Sequence, residues 1–118
     1  MRHKWVEVVV DNFAPGWANV FPKAAGVYVI FDQFRQLRYV GSSTKISERI
    51  YTHRVKGNSN TEASRKIGLL DRMIVKYKLS KKCGDYLMLE ARLIKRLLPP
   101  WNYVPGRPRR TNPVAQPG

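Results

Sequence analysis

Two tyrosines, two glycines and an arginine stand at a spacing that suits chemistry on a phosphate. Gly26-Val27-Tyr28 and Tyr39-Val40-Gly41 enclose ten residues, and Arg49 follows eight residues after Gly41. A phenol ordinarily ionises near pH 10, so it is a poor base at neutral pH unless positive charge favours the phenolate. Arg38, Lys45 and Arg49 supply such charge near Tyr39. Strand aromatics are the commonest use of residues such as Tyr28 and Tyr39, and that reading stands beside the catalytic one. Gly41 lets backbone approach a ligand closely, and Ser42 and Ser43 can donate to phosphate oxygens or merely close a turn. Arg49 and His53 are one helical turn apart; the arginine offers a planar fork to phosphate, while a lone histidine on such a face is more often structural.

Glu90 is the strongest acidic candidate. It shares the edge of an apolar helical stripe, and a carboxylate is seldom buried without a partner. An intramolecular ion pair is one explanation. A hard-cation site is the other, because Mg²⁺ needs as little as one protein carboxylate when waters and a substrate phosphate complete its shell.

Several elements must position these groups. Val27–Phe31 and Leu37–Val40, joined by polar Asp32–Gln36, read as a β-hairpin, and Trp5–Val10 as a separate strand. Lys45–Lys56 carries Ile46, Ile50 and Val55 with Tyr51 at helical spacing, with Thr44 as its N-cap. Glu62–Asp71 reads as a second helix with Ala63, Ile67 and Leu70 on one side. Met73–Leu79 alternates as a strand with Lys76 and Lys78 on its wet face. Gly84–Leu98 returns to helical period with Leu87, Ala91, Ile94 and Leu98 as the buried stripe, and Pro99-Pro100 ends it. The lead-in 1–20, a core at 21–104 and a basic, proline-rich mobile tail at 105–118 make one domain with two extensions.

Composition narrows the partner. The chain has 118 residues, 22 Lys+Arg against 8 Asp+Glu and a formal charge of +14, an excess that favours a polyanion. No apolar run is long enough to span a bilayer, so no membrane partner is expected. No signal peptide is recognisable, and Cys83 is the single cysteine; both agree with a cytoplasmic, reducing location, nucleoid-associated in a bacterial or phage setting. Bottom-up, the residues describe a phosphate-handling site with room for a metal.

Taken together, Gly26-Val27-Tyr28, Tyr39-Val40-Gly41, Arg49, His53, Glu90 and Asn102 resemble the GIY-YIG endonuclease superfamily. Leu89-Glu90-Ala91-Arg92-Leu93-Ile94-Lys95 with Pro99-Pro100-Trp101-Asn102, and Phe21-Pro22-Lys23 ahead of the first block, look most like the nuclease domain of the bacterial excision-repair incision subunit. Ser42 stands where that subgroup carries lysine, and His53 is similar to the homing and restriction members. The resemblance covers roughly residues 21 to 103. It implies an α+β fold: a small three-stranded mixed sheet flanked by helices, to which the N-terminal strand can add a fourth. It implies a metal-dependent hydrolase acting on DNA, RNA remaining open, with Glu90 holding Mg²⁺ or Mn²⁺. Tyr39 would then be the general base or orient the water, the base role being open between Tyr39 and His53. Tyr28 would shape the site and Arg49 stabilise phosphoryl charge. Asn102 would hold its loop against the site, joining Gly41, Ser42, Ser43 and Lys45 in the substrate-binding set. The second reading is a non-catalytic nucleic-acid-binding module of the same fold that works with a partner protein or DNA-targeting subunit. Oligomeric state is not set by the sequence.

Overall fold

The computed structural model describes residues 4–55, 62–80 and 82–102. The expected basic tail and residues 56–61 lie outside them. The elements run β1 (Val6–Val10), a 3₁₀ turn (Trp17–Val20), β2 (Gly26–Phe31), β3 (Leu37–Ser43), α1 (Ile46–Val55), α2 (Glu62–Ile67), β4 (Met73–Leu79) and α3 (Cys83–Leu97). The four strands form one sheet in the order β1-β4-β2-β3.

β2 is a continuous apolar run because both of its faces are covered. Tyr28 and Ile30 point into a core with Ile46, Ile50, Ile67, Met73 and Val75. Val27 and Val29 point the other way, onto Val40, Tyr86, Leu89, Leu93 and Ile94. The sheet is thus a middle layer between α1–α2 and α3. Every strand pair is antiparallel, which corrects the expected mixed sheet. The α1–α2 crossover joins β3 and β4, which run in the same direction but flank β2, so no parallel neighbours arise. The added N-terminal strand is present as β1.

The β2–β3 turn is built on Asp32. Its carboxylate accepts from the backbone N–H of Phe34 (2.8 Å) and Gln36 (3.0 Å) and from Arg38 Nε (2.8 Å). Burial pushes the Asp32 pKa up, but these hydrogen bonds and the Arg38 charge outweigh it and leave the pKa below its ordinary value. Arg35 takes the left-handed conformation that closes the turn (φ 62°).

Several details differ from the sequence reading, among them α2, which stops at Ile67 rather than Asp71. Thr44 does not cap α1. Ser43 Oγ accepts from Lys45 N (2.9 Å), and the carbonyls of Ala24 and Pro22 take the first-turn donors of Ile46 and Ser47 (3.1 and 3.0 Å). The buried positions of α1 are Ile46, Ser47, Ile50 and His53 rather than Val55 or Tyr51, since 46, 50 and 53 share one helical face with 47 beside them. The buried stripe of α3 is Tyr86, Leu89, Leu93 and Ile94, while Leu87, Ala91 and Leu98 are exposed. α3 carries apolar residues on several sides, so period alone sets the spacing but not the phase. It ends at Leu97, with Leu98 left-handed (φ 48°), because a residue before proline is disfavoured in the helical region.

Candidate active site

The site wraps around β3, an edge strand of the sheet. Tyr39 and Gly41 share the α1 face with Tyr28, whereas Val40 and Ser42 face α3. Strand alternation therefore sends the Tyr39 phenol to one side and the Ser42 hydroxyl to the other, three residues apart, where it meets Glu90 of α3.

The two motif glycines serve packing. A Cβ on Gly26 would strike the Lys78 carbonyl of β4. A Cβ on Gly41 would lie 2.5 Å from the Tyr28 hydroxyl and 2.6 Å from its Cζ. Gly41 was expected to open the backbone to a ligand; on this face the Tyr28 ring fills that space.

Tyr28 and His53 form a buried pair, with the Tyr28 oxygen 2.9 Å from His53 Nε2. His53 Nδ1 lies 2.8 Å from Ser64 Oγ on α2, so both imidazole nitrogens are engaged. Sequence reasoning missed Ser64, whose only available signal was its place on the buried side of α2 beside Ala63 and Ile67. Tyr28 is 0% and His53 1% exposed, so neither reaches substrate in this arrangement. Burial, reinforced by Arg49, holds the His53 pKa down to about 4, which keeps the ring neutral. Burial also pushes the Tyr28 phenol far above its ordinary value, with Tyr39 adding to the rise and Arg49 opposing it.

Tyr39 is half-buried and its ring stands 5.2 Å from that of His53, edge to face at 70°. Its pKa is raised by burial, lowered by the Arg49 charge and hydrogen bond, and raised again by Glu90. The net direction is upward, so the surrounding positive charge does not produce a standing phenolate. Arg49 is exposed and acts on both phenols. It also borders a concavity of about 180 Å³ lined by Ser43, Thr44, Lys45, Glu48 and Thr52. Tyr39, Arg49 and Glu90 are thus the members of the expected catalytic set that face outward.

Glu90 lies on α3 with Oε1 accepting from Ser42 Oγ at 2.7 Å. Among the described residues it has no ion-pair partner. Nor do three His, Cys, Asp or Glu side chains converge anywhere among those residues. A lone carboxylate with an outward approach fits Mg²⁺ or Mn²⁺, hard ions that accept waters and phosphate oxygens as their other ligands, and does not fit Zn²⁺.

The expected substrate-binding residues divide. Ser42 is engaged with Glu90. The Ser43 hydroxyl donates to the Lys45 carbonyl (3.0 Å) while accepting from its N–H. Asn102 Oδ1 accepts from Val40 N and its Nδ2 donates to Val40 O, both at 2.8 Å. Trp101 N donates to Arg38 O at 2.9 Å, so the segment after α3 pairs with the outer edge of β3. The Lys45 ammonium stays exposed, 3.8 Å from Glu48.

A family model described as the GIY-YIG catalytic domain matches residues 24–103. The chain is similar to the UvrABC system protein C of Rickettsia rickettsii, 32% identical over 83 residues, covering 70% of the chain and 12% of that protein. It is also similar to that of Helicobacter pylori, 33% identical over 89 residues, with 70% and 15% covered. The chain therefore spans only 12–15% of the length of these relatives. Among solved structures, the N-terminal GIY-YIG endonuclease domain of UvrC from Thermotoga maritima, bound to its catalytic divalent cation magnesium, aligns with a TM-score of 0.58. That match has 25% identity and covers 73% of this chain and 91% of that one. A cation-bound point mutant of that domain aligns with a TM-score of 0.58 and 26% identity, covering 74% and 91%.

Proposed function

The chain belongs to the GIY-YIG endonuclease family, and from that premise we propose that it hydrolyses DNA phosphodiester bonds with a divalent cation held by Glu90. The observation that carries this reading is the convergence at the β3 edge of an outward phenol, an outward guanidinium and a carboxylate that, among the described residues, has no ion-pair partner. Mg²⁺ or Mn²⁺, when bound, supplies Lewis-acid stabilisation of charge on the phosphoryl group.

The side chains divide the remaining work. Arg49 presents its fork to the non-bridging oxygens of the scissile phosphate, where charge develops. The Tyr39 oxygen takes a hydrogen bond from the attacking water and orients it. Tyr28 and His53 are positioning residues: neutral His53 fixes the Tyr28 hydroxyl from below and anchors it to α2 through Ser64. Asn102 holds Val40, and with it the strand that bears Tyr39 and Ser42. Lys45 adds charge at the concavity beside Arg49. Buried, hydrogen-bonded through both ring nitrogens and with its pKa held down to about 4, His53 is a weak base out of reach of the water, which favours Tyr39 for orienting it.

Supercoiled plasmid incubated with the protein and Mg²⁺ or Mn²⁺, with and without chelator, tests the proposal. Cation-dependent nicking is expected. Retained DNA binding with no nicking under either cation would instead support the non-catalytic module, which the basic surface alone could sustain.

A further inference from the structure

Ser42 and Asn102 tie β3 to the α3 region at two points two residues apart. The Asn102 amide grips both polar groups of the Val40 backbone, each at 2.8 Å. Ser42, next but one along the strand on the same face, donates its hydroxyl to Glu90 Oε1 at 2.7 Å. Among the described residues this is the hydrogen bond that fixes the Glu90 side chain, and no basic group lies within ion-pair reach of it. A glutamate has several rotatable bonds, and holding one oxygen selects a rotamer and aims the other. A neutral donor does so without cancelling the negative charge that attracts a cation.

We infer that Ser42 is a positioning residue for the metal carboxylate: its hydroxyl holds Glu90 Oε1 so that Oε2 is presented to the cation. This rests on the reading of Glu90 as the metal ligand. It moves Ser42 from the phosphate, where the sequence placed it, to the support of the metal site. Partners of this kind orient ligands at metal centres, and their loss commonly weakens metal affinity by about 10- to 100-fold.

The experiment is direct Mn²⁺ titration of the DNA-free protein, followed by the electron paramagnetic resonance signal of free Mn²⁺. Wild type is compared with Ser42→Ala, Ser42→Thr and Glu90→Gln, each checked for folding by thermal unfolding. Ser42→Ala should raise the Mn²⁺ Kd about tenfold, and Ser42→Thr, which keeps the hydroxyl, should restore it to within about threefold of wild type. DNA affinity measured in chelator should be unchanged in both. An unchanged Mn²⁺ Kd in folded Ser42→Ala overturns the inference, as does a loss of DNA affinity in chelator with Mn²⁺ binding intact, which would return Ser42 to the phosphate. Glu90→Gln separates the two levels. If it binds Mn²⁺ like wild type, Glu90 is not the metal ligand; if it loses Mn²⁺ while Ser42→Ala does not, only the role of Ser42 fails.

Discussion

At the scale of single residues, the two tyrosines of the motif have different surroundings and should respond differently to loss of a hydroxyl. Tyr39 is half-buried and faces the site, so Tyr39→Phe should lower the single-turnover cleavage rate by about 10²-fold or more, with little change in stability. Tyr28→Phe removes the buried partner of His53 Nε2 and should cost about 1–3 kcal/mol of stability, with the smaller effect on rate. Equal, near-wild-type rates in both variants would dismiss a working phenol at position 39. His53 makes a separate prediction through pH. Its folded pKa of about 4 lies below the ordinary 6.5. Between those values the unfolded chain binds the extra proton, so this contribution to stability is complete above about pH 6.5 and is lost as pH falls towards 4. The total is about 3 kcal/mol. Urea unfolding across pH 4–7 should show that slope in wild type and lack it in His53→Gln. The sequence exposed the identity of these residues through their motif, but not their depth. Gly41 looked like an opening for ligand and is in fact covered by the Tyr28 ring, a contact that only the pairing of Tyr28 opposite Gly41 creates.

Among the elements, β3 matters most because it is an edge strand that carries site residues on both faces. Asn102 supplies the partner that Val40 lacks on that side. Asn102→Ala should therefore leave a buried N–H and carbonyl without their partner and destabilise the fold by about 2 kcal/mol or more. Cleavage should fall further than the unfolded fraction explains; hydrogen exchange at Val40 together with denaturant melts reads both. The strands and helices themselves were largely legible. Alternation placed β4 at Met73–Leu79, and 3.6-residue spacing placed Ile46 and Ile50, or Ala63 and Ile67, on inner faces. What failed was information held elsewhere in the chain. Of the stripe expected on α3 only Ile94 faces inward, because Leu87, Leu89, Leu93, Ile94 and Leu98 offer more than one apolar face, and only contact with Val27, Val29 and Val40 selects among them. The start of α1 was misread because carbonyls of Pro22 and Ala24, more than twenty residues upstream, satisfy its first turn.

For the whole molecule, a charge of +14 on 118 residues sets how it meets a polyanion. Among the described residues, no helix is long and apolar enough to cross a membrane. Affinity for duplex DNA should fall steeply with salt, with a slope in log K against log salt of about −0.9 for each phosphate neutralised. Removing residues 105–118, which carry Arg107, Arg109 and Arg110, should flatten that slope by roughly two to three units if all three contact phosphate. Cleavage at saturating DNA should stay nearly constant, since the proposed site lies within the domain. An unchanged slope would place the tail off the DNA. If Glu90 joins this basic fold to hydrolysis through a cation, single-turnover cleavage by Glu90→Gln at saturating DNA and Mg²⁺, paired with its DNA affinity in chelator, reads that link most directly. A rate at least about 10²-fold below wild type is expected, the loss of several kcal/mol of transition-state stabilisation, with DNA affinity kept within about twofold. A folded Glu90→Gln protein that cleaves at the wild-type rate would contradict it.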